Sequence, residues 1–331
     1  MSRLISRRAF GSSLAFGLLA AGTRAGAQPA RKPVRIGWVS SSSSAGSSVY
    51  VDSFREGLSQ VGHVEGQTYA LEARWSEGSA ERALAFTEEL VLQKVDLLVT
   101  QGPVIRLVKQ AAGTTPILFG ISADPVEAGI VASLARPGAN ITGTTFLAVQ
   151  LVGKRMELLK EAVGDLSNVA IVSNPDHAGE QAELRESVAA ARALGLAAHP
   201  LRVRNDKELE AAFETMTKGK TDAFVVFPDA LMLTYRKALA DYAVRRRIPS
   251  MAGWSQFADA GALMTYGPNL ATEWQNLAVY ADRILKGAKP ADLPVQQPTR
   301  FELVVNLKTA RALGRIMPPS LLLRADRVIA A

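Results

Sequence analysis

The chain has 331 residues, 48% of them hydrophobic and 21% charged, which is globular composition and excludes extended disorder. It has no cysteine, so disulfides, thiolate nucleophiles, cysteine-ligated metals and a lipidated amino-terminal cysteine are all excluded. The formal charge of +7 comes partly from the first 27 residues, which hold four arginines and no acid. The remainder carries 34 basic against 31 acidic residues, a surplus of 3 that is too small for a nucleic-acid footprint.

The chain opens with Ser6-Arg7-Arg8-Ala9-Phe10, then an uncharged Ala/Leu/Gly-rich run and the small triplet Ala25-Gly26-Ala27. This is the layout of a twin-arginine export leader over residues 1–27, cleaved after Ala27. A general secretion leader with a chance Arg-Arg is the alternative. The apolar run is too short to span a bilayer, which takes about 20 residues, and no other stretch is long enough. The pattern predicts an exported, periplasmic protein without membrane insertion.

Beyond a polar linker, short apolar runs rich in β-formers alternate with segments of helical period. Strands are expected at Val34–Ser40, Tyr69–Trp75, 97–100 and 116–119. Helices are expected around Val51, Phe54, Leu58 and Val61, then over 81–93 and 104–112. Residues 141–146 read as a strand-like hinge. A second round follows, with strands at 169–172, 197–203, 223–227, 249–252 and 262–266. Its helices are expected at 177–194, 207–217, 230–246 and 270–286. Residues 290–298 read as an extended proline-rich connector, followed by a strand at 301–305, a helix at 307–313 and a stop at Pro318-Pro319. The alternation implies two successive α/β units with parallel sheets covered by helices. Trp38, on the first strand, is expected in the core.

The common enzyme signatures are missing. No phosphate loop, dinucleotide fingerprint or nucleophile elbow occurs. The three histidines, His63, His177 and His199, have no metal-ligand spacing; each reads as a surface or capping histidine, so neither metal nor cofactor is expected. Polar chemistry gathers instead at strand-to-helix turns. These are Ser40, Ser41 and Ser42 near Gly46; Thr100, Gln101 and Gly102; Ser122 and Asp124; and Asp229 after Phe227-Pro228. In open parallel sheets ligands sit beyond the carboxyl ends of the strands, where helix N-termini offer free N–H groups. The competing reading of each turn is helix capping. Asp124 and Asp229 are either partners for a ligand ammonium or N-caps. Trp254 and Tyr266 either stack on a flat ligand or pack the hinge.

Several segments, in order, carry a family resemblance: Ala123-Asp124-Pro125-Val126, Leu134-Ala135-Arg136-Pro137-Gly138-Ala139-Asn140-Ile141-Thr142-Gly143, Tyr266-Gly267-Pro268-Asn269, Ile284-Leu285-Lys286-Gly287-Ala288-Lys289-Pro290-Ala291-Asp292-Leu293-Pro294, Phe301-Glu302-Leu303-Val304-Val305-Asn306 and Pro318-Pro319-Ser320-Leu321-Leu322. Over nearly the whole chain beyond the leader, the sequence resembles the ABC transporter substrate-binding proteins that include tryptophan-binding, TrpX-type members. The resemblance implies a type I periplasmic binding fold: two doubly wound parallel-sheet lobes joined by hinge crossovers. Lobe I would be 33–143 plus 268–290, and lobe II 144–267 plus 300–331. It implies a monomer, and not an enzyme, that holds a small amino-acid-like solute, aromatic amino acids included, and hands it to an ABC permease with a cytoplasmic ATPase. Ser40, Ser41, Ser42, Gln101, Gly102, Ser122, Asp124, Thr145 and Asp229 would face the solute. Two other readings remain: a ligand-sensing partner of a membrane receptor, and an enzyme exported already folded.

Overall fold

A computed structural model describes residues 32–330. The expected leader, residues 1–27, lies outside the described residues.

The first lobe is built on a five-stranded sheet. Its strands are β1 (Val34–Ser40), β2 (Tyr69–Trp75), β3 (Leu97–Gln101), β4 (Ile117–Ile121) and β5 (Ile141–Thr145), in the order β2-β1-β3-β4-β5. Every pairing is parallel. All residues of β3, β4 and β5 are buried, as expected of parallel strands covered on both faces. Helix α1 (Ser44–Gln60) covers one face, and α2 (Ala80–Leu92) and α3 (Ile105–Ala111) the other.

The chain then leaves this sheet for α4 (Val152–Val163). The second sheet holds β6 (Asn168–Ser173), β7 (Ala197–Arg202), β8 (Ala223–Val226), β9 (Ser250–Ala252), β10 (Met264–Gly267), β11 (Glu302–Asn306) and β12 (Arg327–Ile329). Their order is β12-β11-β10-β9-β8-β6-β7. The connecting helices are α5 (Glu180–Ala193), α6 (Asp206–Lys218), α7 (Ala230–Thr234), α8 (Arg236–Arg246) and α9 (Ser255–Ala260). After β10 the chain returns to the first lobe as α10 (Leu270–Leu285), which packs along α1. It then re-enters the second sheet as β11, antiparallel to β10, and ends with α11 (Leu307–Ala312), α12 (Pro319–Arg324) and β12.

The structure departs from the expected elements at several places. Residues 144–145, expected in the second lobe, pair with β4, so the first sheet keeps the chain through Thr145. The helix expected over 230–246 is two helices, because Tyr235 takes φ −83° and ψ 1° and breaks the repeat. The connector over 290–298 contains a 3-10 turn at Pro290–Asp292. It then runs beside β5, with Gln296 N–H donating to the Gly143 carbonyl at 2.8 Å and Thr145 N–H donating to the Gln296 carbonyl at 3.0 Å. Beyond Pro318 the chain forms α12 and β12 rather than stopping.

One apolar cluster runs through both lobes. Trp38 is fully buried as expected and tilts against Trp274 of α10 at 5.1 Å between ring centroids. Trp274 meets Tyr50 of α1, and Tyr50 meets Trp254 of the second lobe edge-on at 6.5 Å. The aromatic series therefore crosses from one lobe to the other.

Candidate functional site

The carboxyl ends of β1, β3 and β4 in the first sheet face those of β6, β8 and β9 in the second. Between them lies a cavity lined by Tyr50, Gln101, Gly102, Ser122 and Phe146 on one side and by His177, Asp229, Ala230 and Trp254 on the other. Its solvent-accessible volume is about 10 Å³, room for roughly one water. A groove of about 1050 Å³ opens beside it, with Ser41 and Ser42 on one bank and Asn174 and Leu231 on the other. The lobes are shut on each other around the small cavity.

Five residues singled out in the sequence line this cavity: Gln101, Gly102, Ser122, Asp229 and Trp254. Gly102 holds φ +73°, and a Cβ there would lie 2.8 Å from Ser41 Oγ and 3.7 Å from the Ala230 Cβ across the gap. Only glycine takes that backbone while letting the lobes approach so closely. Ser40 stands behind this lining, its Oγ accepting from Gln101 Nε2 at 2.9 Å and from Ser42 N–H at 3.0 Å. Thr145 is also second to the wall, its hydroxyl donating to the Ala123 carbonyl at 2.8 Å. Ser41 and Ser42 belong to the groove.

Two candidates sit elsewhere. Asp124 caps the turn after it, with Oδ1 accepting from Val126 N–H at 2.7 Å and Glu127 N–H at 3.2 Å. It lines neither cavity nor groove, and no helix follows it, so Asp124 closes a turn rather than capping a helix. The Tyr266 ring packs on Phe301 at 6.3 Å and joins the second lobe's core, because β10 turns that side chain away from the gap.

Asp229 caps a helix and also stands on the cavity wall. Its Oδ1 accepts from Leu231 N–H at 2.8 Å and Met232 N–H at 3.0 Å, capping α7. Its Oδ2 accepts from Asn174 Nδ2 at 3.3 Å, and the residue is 2% exposed on the cavity wall.

His177 corrects the expectation of a surface or capping histidine. It is buried, and its Nε2 lies 2.9 Å from Ser122 Oγ, joining the two lobes across the gap. Its Nδ1 accepts from Gly179 N–H at 3.2 Å. An acceptor at Nδ1 fixes the neutral tautomer with the proton on Nε2, so Nε2–H donates to Ser122 and leaves the serine proton free for another acceptor. Burial holds the His177 pKa below its usual value, against the pull of Asp229 and Glu180. Burial, with Asp229 second, raises the Tyr50 phenol well above its usual value. Trp254 is 2% exposed, and its Nε1–H has no partner.

Beneath this wall lies a buried charged layer that sequence reasoning missed. Arg155 of α4 is 1% exposed; its Nε donates to the Tyr266 carbonyl at 2.9 Å and its Nη1 to the Ala148 carbonyl at 3.2 Å. The Tyr266 carbonyl is on β10 just before the chain returns to the first lobe, and Ala148 lies on the outward passage between β5 and α4. Burial lowers the Arg155 pKa to about 10. Glu183 of α5 is fully buried, and neither carboxylate oxygen has a partner. Glu180, one turn earlier, accepts from Ser173 Oγ at 3.1 Å and pairs with Arg202 at 2.9 Å. Among the described residues no group of histidine, aspartate and glutamate could hold a metal, and no helix is long and apolar enough to cross a membrane.

Polar turns from both sheets and aromatic rings from both lobes meet at one gap. The profile of ABC transporter substrate binding proteins matches residues 40–329. The chain belongs to that family. Members are extracellular or periplasmic, take a small-molecule ligand and work with an ABC permease. The family and fold are those of solute-binding proteins, which are not enzymes. The tyrosine-binding protein of Clostridioides difficile (strain R20291) is 23% identical over 262 residues, covering 78% of this chain and 75% of that one. A conserved domain protein from Vibrio cholerae has the same fold, with a TM-score of 0.83 at 23% identity over 90% of this chain and all of that one. So does the ABC domain from Streptococcus pneumonia in complex with L-Trp, with a TM-score of 0.82 at 22% identity over the same shares. The type I periplasmic binding fold expected from the sequence is the fold observed.

Proposed function

We propose that this substrate-binding protein captures an aromatic amino acid, or a close analogue, by closing its two lobes, and delivers it to the permease of an ABC importer. The observation that carries the reading is the composition of the gap. Tyr50, Phe146 and Trp254 supply aromatic faces from both sides, and the Asp229 carboxylate and the Ser122 hydroxyl supply an acceptor and a donor. An ammonium pairs with the first and a carboxylate with the second. The unpartnered Trp254 Nε1–H is a further donor at the wall. The relatives named for tyrosine and solved with L-Trp support the same ligand class.

The shut gap has no room for such a solute, so the lobes must part to admit it and settle around it. Contacts made with both lobes together favour the closed state through their differential free energy. Gln101, Gly102, Ser122, Asp229 and Trp254 form the wall in this reading, with Ser40–Ser42 and Thr145 supporting it. The export leader over residues 1–27 completes it, and amino-terminal sequencing that returns Gln28 from the periplasmic fraction is its check.

The decisive experiment is calorimetric titration of the purified chain with L-tyrosine, L-tryptophan and L-phenylalanine, alongside sugars and dicarboxylates. Saturable binding of an aromatic amino acid is expected. Asp229→Ala should weaken that binding by about tenfold or more, as for loss of a charged hydrogen-bond partner. Binding of sugars alone, or undiminished affinity in Asp229→Ala, refutes the assignment.

A further inference from the structure

A second cavity lies where the chain passes between the lobes, apart from the gap. It has a volume of about 260 Å³ and is lined by Asn269, Thr272 and Glu273 from the start of α10, by Arg300, Phe301 and Glu302 at the entry to β11, and by Asp326 before β12. Helix α10 packs along α1 in the first lobe, whereas β11 belongs to the second sheet. The cavity is therefore walled by both lobes.

Its polar groups are oddly provided for. Glu273 is only 7% exposed, and no hydrogen bond or ion pair satisfies its carboxylate. Burial alone raises its pKa to about 7. Glu302 Oε1 is buried without a partner, while Oε2 accepts from Asn269 Nδ2 at 3.3 Å. Asp326 Oδ2 accepts from Leu303 N–H at 2.8 Å, the third acid on the wall. A buried carboxylate without hydrogen bonds is costly; across this void Glu273 has no partner, and Glu302 has only the charge of Arg327, which is itself paired with Asp259. Among the described residues that line it, the only cation, Arg300, is exposed.

The acids do not converge on a point. Among the described residues no three of them are placed to ligate a metal ion. A cation with several donor directions and some length suits them better. The void holds roughly nine waters at about 30 Å³ each, and the Phe301 ring offers a face for an ammonium.

We propose that this cavity binds a small organic cation of the alkylammonium or guanidinium class. The cation links Glu273 of the first lobe to Glu302 and Asp326 of the second and so favours the lobe arrangement seen here. The inference stands apart from the solute in the gap, because its test is read with that gap empty.

The test uses the whole chain and two probes, 1,4-diaminobutane and methylguanidinium, against sodium chloride at equal ionic strength. Calorimetry and thermal melts at pH 8 should show saturable, stabilising binding of at least one probe that sodium does not reproduce. Glu273→Gln and Glu302→Gln should each weaken it by about tenfold, the loss expected for one charged hydrogen bond, and Arg300→Ala should leave it intact or tighter. Absence of saturable binding in the wild type overturns the proposal. Binding that appears only in Arg300→Ala also overturns it, because Arg300 then fills the cavity itself. Undiminished binding in both carboxylate variants places the probe elsewhere and overturns it as well.

Discussion

Replacing Glu183 by glutamine should stabilise this protein, and increasingly so as pH rises. Glu183 is fully buried on α5 with no partner for either oxygen. Burial raises its pKa to about 8; Arg155 opposes this, and Asp229 and Glu180 reinforce it. The unfolded chain releases that proton near the ordinary value of 4.5. Between those two values the folded state holds a proton the unfolded state has lost, so stability falls as pH rises through the window. Above pH 8 the full penalty is on the order of 5 kcal/mol, from about 1.4 kcal/mol for each pKa unit; near pH 5 it is below about 1 kcal/mol. Glutamine has the same shape and no proton to lose, and every other titrating group is common to both proteins. The stability difference between variant and wild type should thus grow by about 4 kcal/mol from pH 5 to pH 9, or roughly 8 °C in melting temperature for a chain of this size. Urea denaturation of both proteins at pH 5, 7 and 9 measures it. Parallel profiles would refute a buried, proton-holding Glu183.

Other consequences can be checked on the same footing. Gly57→Ala should destabilise by about 1–3 kcal/mol through overpacking, since its Cβ would lie 2.5 Å from the Gln275 carbonyl oxygen and 2.7 Å from its Cα; a melting temperature within a degree of wild type argues against close contact of α1 and α10. Arg155→Lys keeps the charge but loses the fork that reaches Ala148 and Tyr266, and should lower stability by about 1–3 kcal/mol, read by denaturant midpoint. His177 is held neutral, with its pKa below the usual 6.5. The unfolded chain therefore gains a proton first, and the wild type should lose stability relative to His177→Gln as pH falls below 6.5. Melting curves of the two that stay parallel from pH 7 to pH 5 would contradict it.

The strands and the turns were legible because their signals are local. Runs such as Leu97–Gln101 and Ile117–Ile121 are apolar throughout, as strands buried on both faces must be. The turn residues Ser122 and Asp229 announce themselves as small or acidic groups beside a strand end. What escaped depends on distant partners. His177 sits in a turn-like Asn-Pro-Asp-His-Ala-Gly stretch, and nothing near it points to Ser122 on the other lobe. Glu183 looks like one more polar residue on a helix until α4 and the sheet bury it. Tyr50 and Phe146 carry no mark separating a cavity wall from a core. The break at Tyr235 has no proline or glycine to signal it. Helix α4 does carry a local signal, a helical repeat at Val152, Met156, Leu159 and Val163, all buried.

The return of α10 to pack along α1 has a consequence for biosynthesis. A nascent polypeptide leaves the ribosome amino end first, and domains generally fold as units in that order. Here the hydrophobic face of α1, with Phe54 and Leu58, stays uncovered until residues 270–285 have been made, after most of the other lobe. Neither half can be cut out as a contiguous gene fragment, and a ribosome stalled before residue 270 would present a sticky surface for chaperones to shield.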